Sequence, residues 1–237
     1  MKMEPVKEVK SLKLIDMMKK VINLVIVFLL LTLSVQSQEK IPFWNEVQAF
    51  RQKDSVQFPA AGQLLFIGSS SFTMWKDVQD YFPGYKILNR AFGGSTLVDL
   101  IRFRYDVIYP YQPKQIIIYC GENDFAASDT VTVEMVMQRF KTLYRLIRAK
   151  YTSVPLVYVS MKPSPSRVHL MSRYAEANRQ VEMFLKKDKK AIFADVYSKM
   201  LKENGSPMDA IFLSDSLHMN TNGYAIWKIV LGKFLIK

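Results

Sequence analysis

Short apolar segments rich in β-branched residues alternate along the chain with longer segments in which apolar residues recur every three or four positions. Nearly every residue of the short segments is apolar, which is typical of parallel strands covered on both faces. The predicted strands are residues 63–67, 86–89, 115–119, 156–160 and 191–196. The predicted helices are residues 96–108, 131–150, 169–187 and 221–234, preceded by a short helix that begins near residue 42.

Strands that alternate with helices are joined by right-handed crossovers, which place helices on both faces of one sheet. The pattern therefore predicts an α/β fold, a three-layer α/β/α sandwich around a five-stranded parallel sheet. Asp129 or Thr130 is the predicted N-cap of the helix over residues 131–150. We find no internal repeat or long linker, so a single domain is expected over residues 38–237.

The amino-terminal segment has the pattern of a secretory signal peptide. Residues 1–20 are polar and net basic, residues 21–33 are almost wholly apolar, and small residues follow up to Ser37. We expect cleavage after Ser37, with Met17 or Met18 as an alternative start of translation. The other interpretation is a retained membrane anchor, although the apolar segment is only about two-thirds of the ~20 residues that span a bilayer. Both interpretations predict a periplasmic or secreted domain, and cleavage predicts no stable membrane insertion.

Charge and composition exclude some classes of function. The chain is 49% hydrophobic and 23% charged, with a net charge of +12. Residues 38–237 keep 27 basic and 18 acidic residues, a net charge of +9. The basic residues are scattered, apart from a cluster over residues 186–190, so we expect no nucleic-acid binding. The pattern indicates no particular oligomeric state.

Several residues that resemble reactive or stacking groups are expected to be structural. The only cysteine, Cys120, lies in an apolar strand, where it is predicted to be a small buried hydrophobe. A single cysteine also excludes an intrachain disulfide and a cysteine metal cluster. Phe72 and Trp75 are predicted to pack in the core.

Small or polar residues follow three of the predicted strands, and an acidic residue and a histidine precede the last helix. The four segments are Gly68-Ser69-Ser70-Ser71, the loop that contains Gly93-Gly94, Gly121-Glu122-Asn123-Asp124, and Asp215-Ser216-Leu217-His218. Because the carboxyl ends of parallel strands meet at one edge of the sheet, we expect these segments to lie close together.

Acyl transfer requires a hydroxyl nucleophile, a base beside it, a carboxylate that orients the base, and donors for an oxyanion. The serine run over residues 69–71 offers the hydroxyl. A histidine base must be His218 or His169, since the chain has two histidines. Asp215 precedes His218 by three residues and can reach its imidazole ring across one turn.

These segments resemble those of the SGNH hydrolases, also called the GDSL esterase/lipase superfamily, over residues 64–227. The resemblance implies that Ser70 is the nucleophile, that His218 is the base and that Asp215 orients it. It also implies an oxyanion hole formed by the backbone N–H groups of Ser70 and Gly94 and the side-chain N–H of Asn123. A flavodoxin-like sheet with strand order 2-1-3-4-5, and chemistry without a metal or cofactor, are implied as well.

One residue departs from the family pattern. The family commonly has Asp directly before the nucleophile, whereas this chain has Ser69. A hydroxyl can donate and accept hydrogen bonds but brings no charge. The departure bears on the hydrogen bonds around the nucleophile, and it is the one feature that favours a non-catalytic carbohydrate- or partner-binding domain on the same fold.

Other polar residues near these segments have alternative interpretations. The proline-rich loop after the fourth strand is expected to lie over the site, with Arg167 and His169 either as exposed loop residues or as contacts to substrate. Glu122 and Asp124 flank Asn123 and would suit the acid/base pair of a glycosidase. No other segment predicts a groove that would bind a sugar chain for cleavage.

The sequence thus predicts an exported serine esterase that hydrolyses short-chain acyl esters, such as acetyl groups on a small molecule or carbohydrate. A lysophospholipase or thioesterase is the enzymatic alternative. A carbohydrate-binding domain without activity is the alternative from another class.

Overall fold

The computed structural model describes residues 15–26 and 41–237. The chain divides into two units, Met1–Pro42 and Phe43–Lys237. Residues 15–26 are helical and exposed. No helix within the described ranges is both long enough and apolar enough to cross a membrane. The predicted cleavage after Ser37 lies outside the described residues and stays a prediction.

The second unit is built on one parallel sheet. Its strands are β1 Leu64–Gly68, β2 Ile87–Asn89, β3 Gln115–Tyr119, β4 Leu156–Val159 and β5 Ala191–Ala194. They lie in the order β2-β1-β3-β4-β5, and every neighbouring pair is parallel. The predicted α/β fold and the strand order 2-1-3-4-5 are confirmed.

Helices precede and follow the strands. They are α1 Trp44–Val56, α2 Ser70–Thr73, α3 Val78–Tyr81, α4 Leu97–Arg102, α5 Arg104–Val107, α6 Glu122–Ala126, α7 Val133–Lys150, α8 Met171–Leu185 and α9 Thr221–Leu231. Short 3₁₀ helices cover Pro165–Leu170, Ser198–Met200 and Asp209–Ile211.

Several predicted boundaries differ from the structure, and three of them have a cause in local geometry or hydrogen bonds. The helix expected over residues 96–108 is two helices, α4 and α5, because Phe103 between them leaves helical geometry at φ −91° and ψ 13°. The N-cap of α7 is Thr132, whose hydroxyl accepts the Met135 N–H at 3.3 Å. The Thr130 hydroxyl instead pairs with that of Ser128 at 2.9 Å, which holds it in the preceding turn.

The predicted strand over residues 191–196 ends early, at Ala194, for a related reason. The hydroxyl of buried Ser160, at the end of β4, accepts the N–H groups of Val196 and Tyr197 at 3.0 and 2.9 Å. The Ser160 side chain therefore replaces the backbone hydrogen bonds between β4 and β5 at the point where the two strands diverge.

The core consists of two layers, one against each face of the sheet. Leu65 and Ile67 of β1 pack in one hydrophobic cluster, whereas Leu64 and Phe66 pack in the other. Successive side chains of a strand point to opposite faces, so a strand that is apolar throughout contributes to both layers. Full burial of such a side chain contributes roughly 1.5–3 kcal/mol.

The residues expected to be structural are buried. Phe72, Trp75 and Cys120 are all fully buried, which confirms their predicted packing roles. Burial raises the pKa of the Cys120 thiol well above its usual value, so the thiol stays protonated.

Candidate active site

Gly68 ends β1 at the edge of the sheet where the predicted site residues meet. Its φ is +141°, and a Cβ at this position would lie 1.9 Å from the Tyr119 carbonyl oxygen of β3. Only glycine allows the backbone of β1 to come this close to β3. The next residue stays in contact, since the Ser69 N–H donates to the same carbonyl at 3.0 Å. The chain then turns directly into α2, so Ser70 is the first residue of a helix beyond a rigid strand.

Ser70, His218 and Asp215 form a continuous chain of side-chain hydrogen bonds. His218 Nε2 lies 3.0 Å from Ser70 Oγ, and His218 Nδ1 lies 2.6 Å from Asp215 Oδ2. The carboxylate can only accept, which assigns the ring proton to Nδ1 and leaves the Nε2 lone pair for the serine hydroxyl. Such an arrangement can move the hydroxyl proton to the imidazole.

The backbone of its own loop fixes the Asp215 carboxylate. Oδ1 accepts the backbone N–H groups of Leu217 and His218, each at 2.9 Å. Partial burial acts to raise the pKa of the Asp215 carboxyl, but the hydrogen bonds from the His218 ring and from these two N–H groups outweigh it and lower the pKa to about 2. Asp215 is therefore ionised at neutral pH and holds the imidazole in one orientation.

The neighbouring serines are placed differently from Ser70. Ser69 and Ser71 are both buried, whereas Ser70 is partly exposed. Ser71 is held through its carbonyl, which accepts the Tyr224 hydroxyl of α9 at 2.9 Å. Of the three hydroxyls, the one on Ser70 faces the His218 ring.

The loop after β2 brings Gly94 to the same edge. The Ser95 hydroxyl and the Phe92 N–H both donate to the Gly68 carbonyl, at 3.0 and 3.1 Å. Glu46 of α1 accepts the Gly93 N–H at 2.8 Å. Gly93 itself has a φ of +33°, and a Cβ there would lie 2.5 Å from the Phe43 ring.

Asn123 faces this loop from the first turn of α6. Its Nδ2 donates to the Ser95 carbonyl at 3.2 Å and would lie 3.7 Å from a Cβ built on Gly94. Within the described part of the chain, the backbone N–H groups of Ser70 and Gly94 have no protein acceptor. N–H groups of this kind can stabilise negative charge on an oxygen bound beside Ser70.

Arg167 also reaches Asn123, which the sequence did not predict. Its side chain is only 18% exposed, and its Nη1 donates to Asn123 Oδ1 at 2.9 Å and to Glu122 Oε1 at 2.8 Å. Of the two alternatives for these loop residues, a freely exposed side chain does not describe Arg167, whereas His169 is exposed.

The two acidic neighbours of Asn123 are structural. Glu122 is buried against Lys162 and Arg167. Asp124 is buried as well, and it accepts the Leu97 N–H and a bond from Arg139, both at 2.8 Å. Neither carboxylate has the solvent-facing position that an acid/base pair for glycoside cleavage requires.

A cavity of about 420 Å³ adjoins the hydrogen-bonded chain. Its walls include Phe125, Arg167, His169, Leu170, Asp215 and Leu217. The volume is in the range of small-molecule sites. Across residues 15–26 and 41–237, no group of three or more His, Cys, Asp or Glu side chains is arranged to hold a metal ion.

Comparison with known families decides which proteins this chain is related to. The profile described as the GDSL-like lipase/acylhydrolase family matches residues 67–226, more than half of the chain. The chain belongs to this family. The resemblance expected from the sequence is confirmed, and the GDSL-like acylhydrolases are hydrolases of esters.

Solved structures share the fold of this GDSL-like acylhydrolase. A GDSL-like lipase from Bacteroides thetaiotaomicron superposes with a TM-score of 0.67 at 20% identity, covering 79% of this chain and 95% of its own. A provisionally described platelet activating factor from Streptococcus pneumonia gives a TM-score of 0.70 at 19% identity, with coverages of 90% and 99%.

A catalytic mutant of Axe2, an acetylxylan esterase from Geobacillus stearothermophilus, gives a TM-score of 0.58 at 14% identity, with coverages of 73% and 94%. At these identities the likeness to the solved structures shows a shared fold and nothing beyond it. A search among curated proteins found no significant match.

Sequence reasoning missed Glu46, and for Arg167 it offered a contact to substrate but not the bond to Asn123. Glu46 is 47 residues from Gly93, and Arg167 is 44 residues from Asn123. No local pattern links such pairs. The one available signal was the presence of a lone arginine in a proline- and serine-rich loop predicted to lie over the site.

Proposed function

We propose that the protein is an exported serine esterase that hydrolyses short-chain acyl esters through Ser70, His218 and Asp215. The observation that carries the proposal is the unbroken hydrogen-bond chain from Ser70 Oγ through the His218 ring to the Asp215 carboxylate. Membership of a family of ester hydrolases supports the reaction class.

In the first half-reaction, Ser70 Oγ attacks the ester carbonyl carbon while His218 Nε2 takes the hydroxyl proton. The carbonyl oxygen becomes an oxyanion, to which the N–H groups of Ser70, Gly94 and the Asn123 amide donate. Collapse of this intermediate breaks the carbon–oxygen bond of the ester. His218 gives its proton to the departing alcohol, leaving Ser70 acylated.

In the second half-reaction, water replaces the alcohol. His218 Nε2 takes a proton from the water, whose oxygen attacks the acyl carbon. The second intermediate expels Ser70 Oγ, which recovers its proton from His218, and the carboxylic acid leaves. Asp215 stays ionised throughout because its pKa is lowered to about 2 by hydrogen bonds that outweigh the effect of partial burial.

We further propose acetyl or similarly short acyl groups on a carbohydrate as the substrate. Two observations support this choice: an acetylxylan esterase is among the proteins with the same fold, and the cavity of about 420 Å³ beside Asp215 has the size of a small-molecule site. A lysophospholipase or thioesterase would instead require room for a long acyl chain.

Hydrolysis of p-nitrophenyl acetate by wild type and Ser70→Ala tests the mechanism, with Ser69→Ala and Ser71→Ala as matched controls. We expect activity in wild type and in both controls, and loss in Ser70→Ala. A fluorophosphonate should label Ser70, as located by mass spectrometry. Equal activity of wild type and Ser70→Ala would reject Ser70 as the nucleophile, and an inactive but folded wild type would favour a binding domain.

A panel of acetylated xylo-oligosaccharides, p-nitrophenyl esters of increasing acyl length, a lysophospholipid and an acyl thioester tests the substrate. We expect kcat/KM to fall as the acyl chain lengthens. A preference for the lysophospholipid or the thioester would overturn the carbohydrate proposal while leaving the serine mechanism in place.

Export rests on the pattern of residues 1–37. Expression of the full chain in a bacterium, followed by amino-terminal sequencing, should recover a protein that begins at Gln38 in the soluble exported fraction. An intact amino terminus that sediments with membranes would support the retained anchor instead.

A further inference from the structure

The Arg167 guanidinium connects a buried charge cluster to the candidate oxyanion donor Asn123. The same nitrogen, Nη1, donates to Glu122 Oε1 at 2.8 Å and to Asn123 Oδ1 at 2.9 Å. Arg167 comes from the 3₁₀ helix Pro165–Leu170, whereas Glu122 and Asn123 begin α6. Two segments that are far apart in the sequence therefore meet behind the donor.

The Glu122 carboxylate fixes where the guanidinium lies. Glu122 is only 4% exposed, and both of its oxygens lie 3.3 Å from the Nζ of Lys162, which is only 1% exposed. The Tyr119 hydroxyl also bonds this carboxylate. A buried carboxylate with two cationic partners strongly resists the removal of either partner, so Arg167 has little freedom to move.

The position of Arg167 determines which way the Asn123 amide faces. A guanidinium has donors but no acceptor, so the amide atom in contact with it must be the oxygen. The amide nitrogen then points the other way, toward the Ser95 carbonyl and Gly94. A flipped amide would present its oxygen to the oxyanion and repel it.

We propose that Arg167 is a positioning residue that holds the Asn123 amide with its N–H groups toward the oxyanion. This inference rests on the proposed function. The charge–amide contact also polarises the amide, which strengthens its N–H as a donor. Arg167 acts here through Asn123 and not through contact with the substrate.

A double-mutant cycle tests the proposal, because Arg167 also lines the cavity and would bind substrate directly in the rival interpretation. The variants are Arg167→Met, Asn123→Ala and the two combined, assayed with a short-chain ester. We expect Arg167→Met to lower kcat by about 10-fold to 100-fold, the range for a lost hydrogen bond to a charged group, with KM changed less than about twofold. In the Asn123→Ala background the same substitution should change kcat less than about twofold.

Two further variants guard against an effect on folding alone. Arg167→Lys keeps one donor near Oδ1 and should retain more kcat than Arg167→Met at a similar melting temperature. Arg173→Met makes the same chemical change at a partly buried arginine that bonds Asp129 and Val131, and it should leave kcat unchanged. If Arg167→Met does not fold, Arg167→Lys replaces it in the double-mutant cycle with Asn123→Ala.

Three results would overturn the proposal: an unchanged kcat in Arg167→Met, an equal loss in both backgrounds, or a raised KM with kcat unchanged. The first result removes Arg167 from the mechanism, and the other two make it an independent contact. Failure of the proposed function itself would look different, since wild type and Ser70→Ala would then hydrolyse the ester equally or not at all.

Discussion

Asp215 and His218 lie three residues apart on one surface loop, with side chains that are 46% and 21% exposed. Asn123, by contrast, is oriented by Arg167, 44 residues further along the chain, and by the buried carboxylate of Glu122. The base side of the site is thus stabilised by local hydrogen bonds near solvent. The donor side depends on buried charges from distant segments.

The difference predicts how each side responds to substitution. A local loop that is held by its own backbone can lose a side chain without disturbing the sheet. Where an oxyanion donor is held by a buried cluster of charges, a substitution at a residue that never touches the substrate can still displace the donor.

Removal of the base should have the largest effect. His218→Ala leaves Ser70 without a proton acceptor and is expected to lower kcat on the order of 10⁶-fold. The melting temperature should change little, since the His218 ring is partly exposed and its loop is also held by the Leu213 N–H to His218 carbonyl bond at 2.8 Å. Single-turnover ester hydrolysis measures the loss, with His169→Ala as the matched control. Comparable losses in the two histidine variants would contradict the assignment.

Removal of the side-chain donor should have a smaller effect. Asn123→Ala deletes one of three oxyanion donors and is expected to lower kcat by about 10²–10³-fold. Circular dichroism should show an unchanged fold. Asn204→Ala, at an exposed turn, is the control. An unchanged rate in Asn123→Ala would remove this residue from the mechanism, and a loss as large as that of His218→Ala would end the contrast between the two sides.

A distant support of the backbone donor should have a moderate effect. Glu46 accepts the Gly93 N–H, which orients the loop that carries Gly94. Glu46→Ala is expected to lower kcat by about tenfold through loss of one charge-assisted hydrogen bond. Glu46→Gln retains an acceptor and should keep most of the rate, while Glu134→Gln on α7 should have none of this effect. Equal kcat in Glu46→Ala and wild type would show that the Gly94 loop needs no support from α1.

The smallest effect concerns stability at low pH. Hydrogen bonds from His218 and two N–H groups outweigh the effect of partial burial and lower the pKa of Asp215 from 3.8 to about 2. Since the folded pKa is the lower one, the stabilisation is present above the unfolded value and is lost as the pH falls through about 2. The difference in melting temperature between wild type and Asp215→Asn should therefore be constant from about pH 5 to 7 and shrink between about pH 4 and 2.

Ser214→Ala, a neutral change in the same loop, is the control for this measurement. Its difference from wild type should not vary with pH over that range. A difference for Asp215→Asn that persists unchanged at pH 2 would contradict the lowered pKa.

Short stretches of the chain encode the strands, the layers of the fold and the spacing of Asp215 and His218. Near-continuous apolar segments such as Ile116–Ile118 identify parallel strands, because both faces of each strand must be covered. The alternation of these strands with helices then determines the three layers. The spacing of Asp215 and His218 determines that the two side chains can meet, since three residues cross one turn.

Which side chains end the strands, cap the helices and support the oxyanion donors is settled only in the folded chain. A hydrogen bond from the Val196 N–H to the Ser160 hydroxyl ends β5, and one from the Met135 N–H to the Thr132 hydroxyl caps α7. Other polar side chains nearby could have accepted either N–H group. Arg167 and Glu46 contact the donors across 44 and 47 residues. Such contacts depend on how distant segments pack, and a buried charge is stable only where that packing supplies its partner. The local pattern of the sequence therefore predicts the candidate chemistry, whereas the geometry that orients the oxyanion donors exists only in the folded chain.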